Sequence, residues 1–142
     1  MTKQTKISST IDYSNDGKNF GYLSIPHSTN DSGWGSLQMP IISIRNGKGP
    51  VVVFTGGNHG DEYEGPISLM NIARSLEANS INGQIIIIPA LNFPAFMVGD
   101  RVSPIDGLNM NRVYPGKRDG TVTSMIAHYL TTKIIPLTDV LV

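Results

Sequence analysis

The sequence predicts an α/β protein, a mixed, largely parallel sheet flanked by helices and opened by antiparallel strands. Three observations point there. Before Gly49-Pro50, short strand-like runs alternate with turn signals. After it, Val51–Thr55 and Gln84–Pro89 are β-branched runs without alternation, as expected of strands covered on both faces. Helical periodicity lies between and beyond them.

In chain order, the opening strands are expected at Lys6–Tyr13, Phe20–Ile25 and Leu37–Arg45. They are separated by Asn15-Asp16-Gly17 and the polar loop His27–Gly35, and closed by Asn46-Gly47. Residues 1–48 are thus read as antiparallel strands and 49–142 as the α/β part that carries the chemistry. Pro66 suits a first helical turn, where a missing N–H costs nothing. Ile67, Met70, Ile72, Ala73 and Leu76 supply an apolar stripe that stops around Asn79-Ser80. A second helix is expected from Thr123 to Ile135, with Val122, Ile126, Tyr129, Leu130 and Ile134 on one side, His128 turned to solvent and Pro136 as the stop. Thr138–Val142 reads as a last strand, and right-handed crossovers make the strands from Val51 onward largely parallel. With nothing behind that apolar strand to cover the sheet, the fold is expected to be C-terminally incomplete.

The 142 residues suffice for one hydrophobic core. Eleven basic and eleven acidic side chains cancel without forming blocks, so neither nucleic acid nor an anionic membrane is an expected partner. The absence of cysteine removes thiolate metal sites and leaves His, Asp and Glu as ligands. Without an apolar leader or a long apolar window, a soluble cytoplasmic protein is expected.

The chemistry concentrates in "TGGNHGDEYEG", Thr55 to Gly65, at the carboxyl end of the strand Val51–Thr55, where open α/β sheets gather functional groups. Glycines allow the turn to aim His59 and Glu62 at one point. Asp61, Glu62 and Glu64 repel one another, and a divalent cation would reverse that repulsion. An imidazole with a carboxylate and an open position describes catalytic zinc. The plainer alternative is that these acids favour a helix N-terminus, which accounts for Glu64 and leaves His59 a turn residue.

A second concentration lies in the long aperiodic stretch Asn92–Gly120, within "DRVSPIDGLNMNRVYPG". An extended Asn-x-Asn puts Asn109 and Asn111 on one side, and a carboxamide beside the fork of Arg112 makes a clamp for a substrate carboxylate. Asn109 and Asp106 also read as ordinary turn formers.

"GGNHGDEYEG" and "GLNMNRVYPG" together resemble the succinylglutamate desuccinylase/aspartoacylase family, a branch of the zinc carboxypeptidase fold, from about Val51 to the last residue. The resemblance implies one zinc ion per subunit held by His59 and Glu62, Asn111 and Arg112 on the substrate's α-carboxylate, and Arg101 as partner of the scissile carbonyl. It implies a small N-acyl amino acid as substrate and leaves a homo-oligomer open. It also implies a third histidine ligand and a general-base glutamate that are expected beyond Val142, so the chain as given is expected to bind metal weakly and to be inactive. Rival readings are a carboxypeptidase acting on peptides and a non-catalytic binding or structural fragment. A phosphate-binding turn or a serine hydrolase is disfavoured, because neither Gly-x-Gly-x-x-Gly, Gly-Lys-Ser/Thr nor Gly-x-Ser-x-Gly occurs.

Overall fold

A computed structural model describes residues 4–142. Its frame is a six-stranded mixed sheet in the order β1-β2-β3-β5-β4-β6. β1 (Ser8–Ser9), β2 (Gly17–Pro26), β3 (Ser36–Asn46) and β5 (Gly83–Ile88) pair antiparallel in succession. The parallel pairings are confined to the strands from Val51 onward, where β4 (Val51–Thr55) lies between β5 and β6 (Val140–Leu141).

Both faces of the sheet are covered, which explains the unbroken apolar runs. Side chains alternate along β5: Ile86 and Ile88 enter one core with Leu23, Met39 and Val53, while Ile87 enters another with Ile44, Leu69 and Ala73. The first core lies under α3 (Val122–Tyr129), which contributes Val122, Met125 and Ile126, and the second under α1 (Glu64–Ser75). Each fully buried isoleucine of this kind stabilises the fold by roughly 1.5–3 kcal/mol. Among the described residues, no helix is long and apolar enough to cross a membrane.

Several elements depart from the sequence reading. The first expected strand shrinks to Ser8–Ser9, because the chain then crosses β2: Thr10 Oγ1 accepts the Tyr22 N–H at 2.8 Å, and Ile11 packs where Gly21 lacks a side chain. α1 ends at Ser75, before Asn79-Ser80, since Leu76 is extended and turns into the second core. Its buried stripe is Pro66, Leu69 and Ala73, whereas Ile67 and Ile72 are 53% and 37% exposed. Hydropathy marks an amphipathic helix but does not say which side meets the sheet.

The stretch Asn92–Gly120 is not structureless. It holds the short α2 (Phe93–Val98), ended by Gly99 at φ +70°, and a 3-10 turn at Met110–Arg112. α3 continues as a π turn, Leu130–Ile134, and a 3-10 turn, Ile135–Leu137. His128 is half-buried with its Nδ1 enclosed and without a hydrogen-bond partner, because the helix packs against more than its apolar side; solvent exposure is not what it has.

Candidate metal and substrate site

The turns that leave β4 and β5 are laced together. Gly56 N–H donates to Ile88 O at 3.0 Å, Leu91 N–H to Gly56 O at 2.7 Å, and Asn92 N–H to Gly57 O at 2.9 Å. Gly57 has φ +60°, a conformation other residues rarely adopt, and a Cβ on Gly60 would overlap the carbonyl of Ala95 in α2. These contacts press the turn onto the sheet and present His59, only 5% exposed, at its inner side.

His59 Nδ1 stands 2.8 Å from Glu62 Oε1. The other ring nitrogen meets two groups from the 3-10 turn: Asn109 Oδ1 at 3.2 Å and Asn111 Nδ2 at 3.4 Å. Asn109 is fixed by accepting the Asn111 N–H at 3.0 Å, and Asn111 Oδ1 accepts from Asn58 Nδ2 at 2.6 Å. Arg101 approaches from the loop after α2, with a guanidinium nitrogen 3.6 Å from Glu62 Oε1. Thus His59, Glu62, Arg101 and Asn111, singled out separately in the sequence, meet in one place.

The tautomer gives this cluster a chemical meaning. In a neutral imidazole one nitrogen donates and the other accepts. With the proton on Nδ1, the ring donates to Glu62 and Nε2 accepts from Asn111 Nδ2; with the proton on Nε2, it donates to Asn109 Oδ1 and turns the Nδ1 lone pair on the Glu62 carboxylate. In the tautomer with Nε2–H, two acceptors face each other at this distance, and a cation between them would relieve the repulsion. On a tetrahedral zinc with bonds of about 2.0–2.1 Å, two ligand atoms stand about 3.3 Å apart, so the pair would open by only about half an ångström. The residues fit the ion, with Nδ1 as the ligating atom and Asn109 holding the ring from behind, as metal-bound histidines usually require. Among the described residues, no group of three His, Cys, Asp or Glu is gathered to hold a metal.

Arg112 parts from Asn111. Its guanidinium reaches only the Asn111 carbonyl, at 3.5 Å, and lines a recess of about 480 Å³ together with Tyr114 and Lys117. Sequence reasoning undervalued Asn109, read as a turn former, and missed Asn58. The Asn-x-Asn spacing was the available signal for the first, while nothing local marks the second.

A profile of the succinylglutamate desuccinylase/aspartoacylase catalytic domain matches residues 48–142. The chain belongs to that family. The curated N-alpha-acetyl-L-2,4-diaminobutyric acid deacetylase of Halomonas elongata is 44% identical over 138 residues, covering 97% of this chain and 40% of that protein. The product-bound structure of the ectoine utilization protein EutE of Ruegeria pomeroyi superposes with a TM-score of 0.96 at 47% identity, over 98% of this chain and 42% of that one. A succinylglutamate desuccinylase structure from Silicibacter sp. gives a TM-score of 0.96 at 46% identity, over 99% of this chain and 43% of that one. This family chain therefore spans about 40% of the length of the curated relative it matches.

Proposed function

We propose that these residues serve a zinc-dependent hydrolase that removes the acyl group from an N-acylated amino acid, cleaving the amide into a carboxylic acid and an amino acid, in a cytoplasmic setting. The observation that carries this reading is the 2.8 Å pairing of His59 Nδ1 with Glu62 Oε1 at the exit of β4. The substrate class is supported by the family's desuccinylase and aspartoacylase members and by the deacetylase of Halomonas elongata, all of which are named for N-acyl amino acids.

In this reading His59 and Glu62 hold the ion, and Asn109 keeps the imidazole in the ligating tautomer. When bound, the metal would supply Lewis acidity, polarising the scissile carbonyl and lowering the pKa of a water. Arg101, more than half exposed and only loosely paired with Glu62, is free to turn its guanidinium to the carbonyl oxygen as negative charge develops there. Arg112, with Asn111, orients the substrate through its α-carboxylate. Two protein ligands hold zinc weakly, so the 142 residues alone are proposed to be inactive.

The test combines a zinc titration of this chain with hydrolysis assays, on N-acetyl amino acids and on short peptides, of an active enzyme carrying these residues. Zinc uptake lost in His59→Ala and a preference for N-acyl amino acids are expected. Uptake that survives the substitution contradicts the ligand role, and equal turnover of peptides favours a carboxypeptidase.

A further inference from the structure

The residue that follows Glu62 reaches across to the segment that carries Arg101. Tyr63 meets Phe96 of α2 edge to face, with ring centroids 5.5 Å apart and planes at 65°. Its hydroxyl lies against Gly99, where a Cβ would stand 2.6 Å from the phenol oxygen. Gly99 closes α2 at φ +70°, its N–H donating to Phe96 O at 3.3 Å while the Asp100 N–H donates to Ala95 O at 3.1 Å. The chain leaves that closed end through Asp100 directly into Arg101.

The turn bearing Glu62 is therefore fixed to α2 on both sides of the carboxylate. Gly60 presses on the Ala95 backbone before it, and Tyr63 on Phe96 and Gly99 after it. Tyr63 belongs to neither core and is 42% exposed, so its contacts with α2 are what orient the ring. Nor does it cap α1, since its side chain makes no hydrogen bond to the helix start. Glu62 and Arg101, far apart in sequence, share one support, while the guanidinium, 3.6 Å from Glu62 Oε1, stays free to turn.

We propose that Tyr63 is a positioning residue: it latches the exit of α2 to the His59–Glu62 turn and so holds the root of Arg101 beside Glu62. The proposal rests on the role given above to Arg101 and adds the residue that sets its reach. A displacement of about 1 Å can cost a positioned group on the order of a hundredfold in rate. Without the latch, Arg101 spends less time where charge develops, and the loss falls on turnover rather than on substrate binding.

The test is a double-mutant cycle in an active enzyme carrying these residues, joined to relaxation measurements on the 142-residue chain. Tyr63→Ala should lower kcat about tenfold with KM changed by less than about twofold, and Tyr63→Phe, which keeps the ring on Phe96, should restore most of the loss. In the Arg101→Ala background, Tyr63→Ala should cost nothing further, because it acts through that guanidinium. Ile67→Ala, on the same helix and 53% exposed, should leave kcat unchanged. In the 142-residue chain, the heteronuclear NOE of the Asp100 and Arg101 amides should fall in Tyr63→Ala and hold in Tyr63→Phe. Full additivity with Arg101→Ala, an unchanged kcat in Tyr63→Ala, or amides in that variant as rigid as in the parent would each overturn the latch. If Arg101→Ala itself leaves kcat intact, the role given to Arg101 falls and this inference with it. An effective Arg101→Ala beside a silent Tyr63→Ala removes the latch alone.

Discussion

Asp106 fastens the stretch Asn92–Gly120 to the start of α3, its Oδ2 accepting the Thr123 N–H at 2.9 Å and its Oδ1 the Thr123 hydroxyl at 2.8 Å. It thereby caps a helix from sixteen residues upstream of its first one, Val122, and steadies the segment that carries Asn109 and Arg112. Burial pushes this carboxyl up, but hydrogen bonds from Thr123, Thr121 and Leu108 outweigh burial and hold it below the usual carboxylate range. A depressed pKa stabilises the fold above the unfolded value of about 3.9, and that contribution is lost as pH falls through the folded value. Asp106→Asn should therefore cost about 1 kcal/mol at neutral pH, and its deficit against the parent should shrink between about pH 5 and about pH 3. Urea unfolding at several pH values measures this, and a deficit that does not change with pH would refute it.

Gly60 has no room for a side chain. A Cβ there overlaps the Ala95 backbone, which cannot move away as a flexible side chain could. Gly60→Ala should destabilise the chain by about 1–3 kcal/mol and lift His59 out of register with Glu62, weakening zinc uptake as well. Gly33→Ala, where nothing lies within 4 Å, is the comparison and should change stability by less than about 0.5 kcal/mol. Equal unfolding midpoints for the two variants would show that the turn is not pinned at Gly60.

Asn109 touches the ring of His59 on the side away from Glu62. Its removal in Asn109→Ala should lower zinc affinity by roughly tenfold while leaving His59 and Glu62, the proposed ligands, in place, and Asn109→Asp, which still accepts from Nε2–H, should retain the affinity. Competition with a chromogenic chelator reads both. A variant that binds zinc as the parent does would mean that the ring is oriented by packing alone.

On the proposed reading, Arg112→Ala in an active enzyme carrying these residues should mainly raise KM for substrates with a free carboxylate and leave kcat nearly unchanged, the signature of lost uniform binding. Arg101→Ala should instead lower kcat, because the contact proposed for it is to charge that appears only during the reaction. Steady-state kinetics on one N-acyl amino acid decides between these patterns, and identical effects in both variants would erase the distinction between the two arginines.

What the sequence made legible was local. His59 and Glu62 lie three positions apart in a glycine turn after a covered strand, so their meeting needed no knowledge of the rest of the chain. The arrival of Asn109 beside His59 spans fifty residues and depends on how α2 and the 3-10 turn fold back. Asn58 was invisible for the same reason, since its partner, Asn111, is a distant residue. The sheet's strands were readable from their β-branched runs. The shortened β1 was not, because it results from Ile11 seeking the space over Gly21 rather than from anything in its own pattern. The buried side of α1 was misplaced because Leu69 and Ile67 are equally apolar and only the neighbouring β5 distinguishes them.

The backbone lacing of Gly56 and Gly57 to Leu91 and Asn92 makes a single beam of what would otherwise be two separate exits from parallel strands. Leverage applied to either end of that beam is transmitted whole. The amides of Leu91 and Asn92 should therefore resist deuterium uptake as stubbornly as those of the strands, and the imidazole standing on the beam inherits its stiffness while the arginines approach on freer arms.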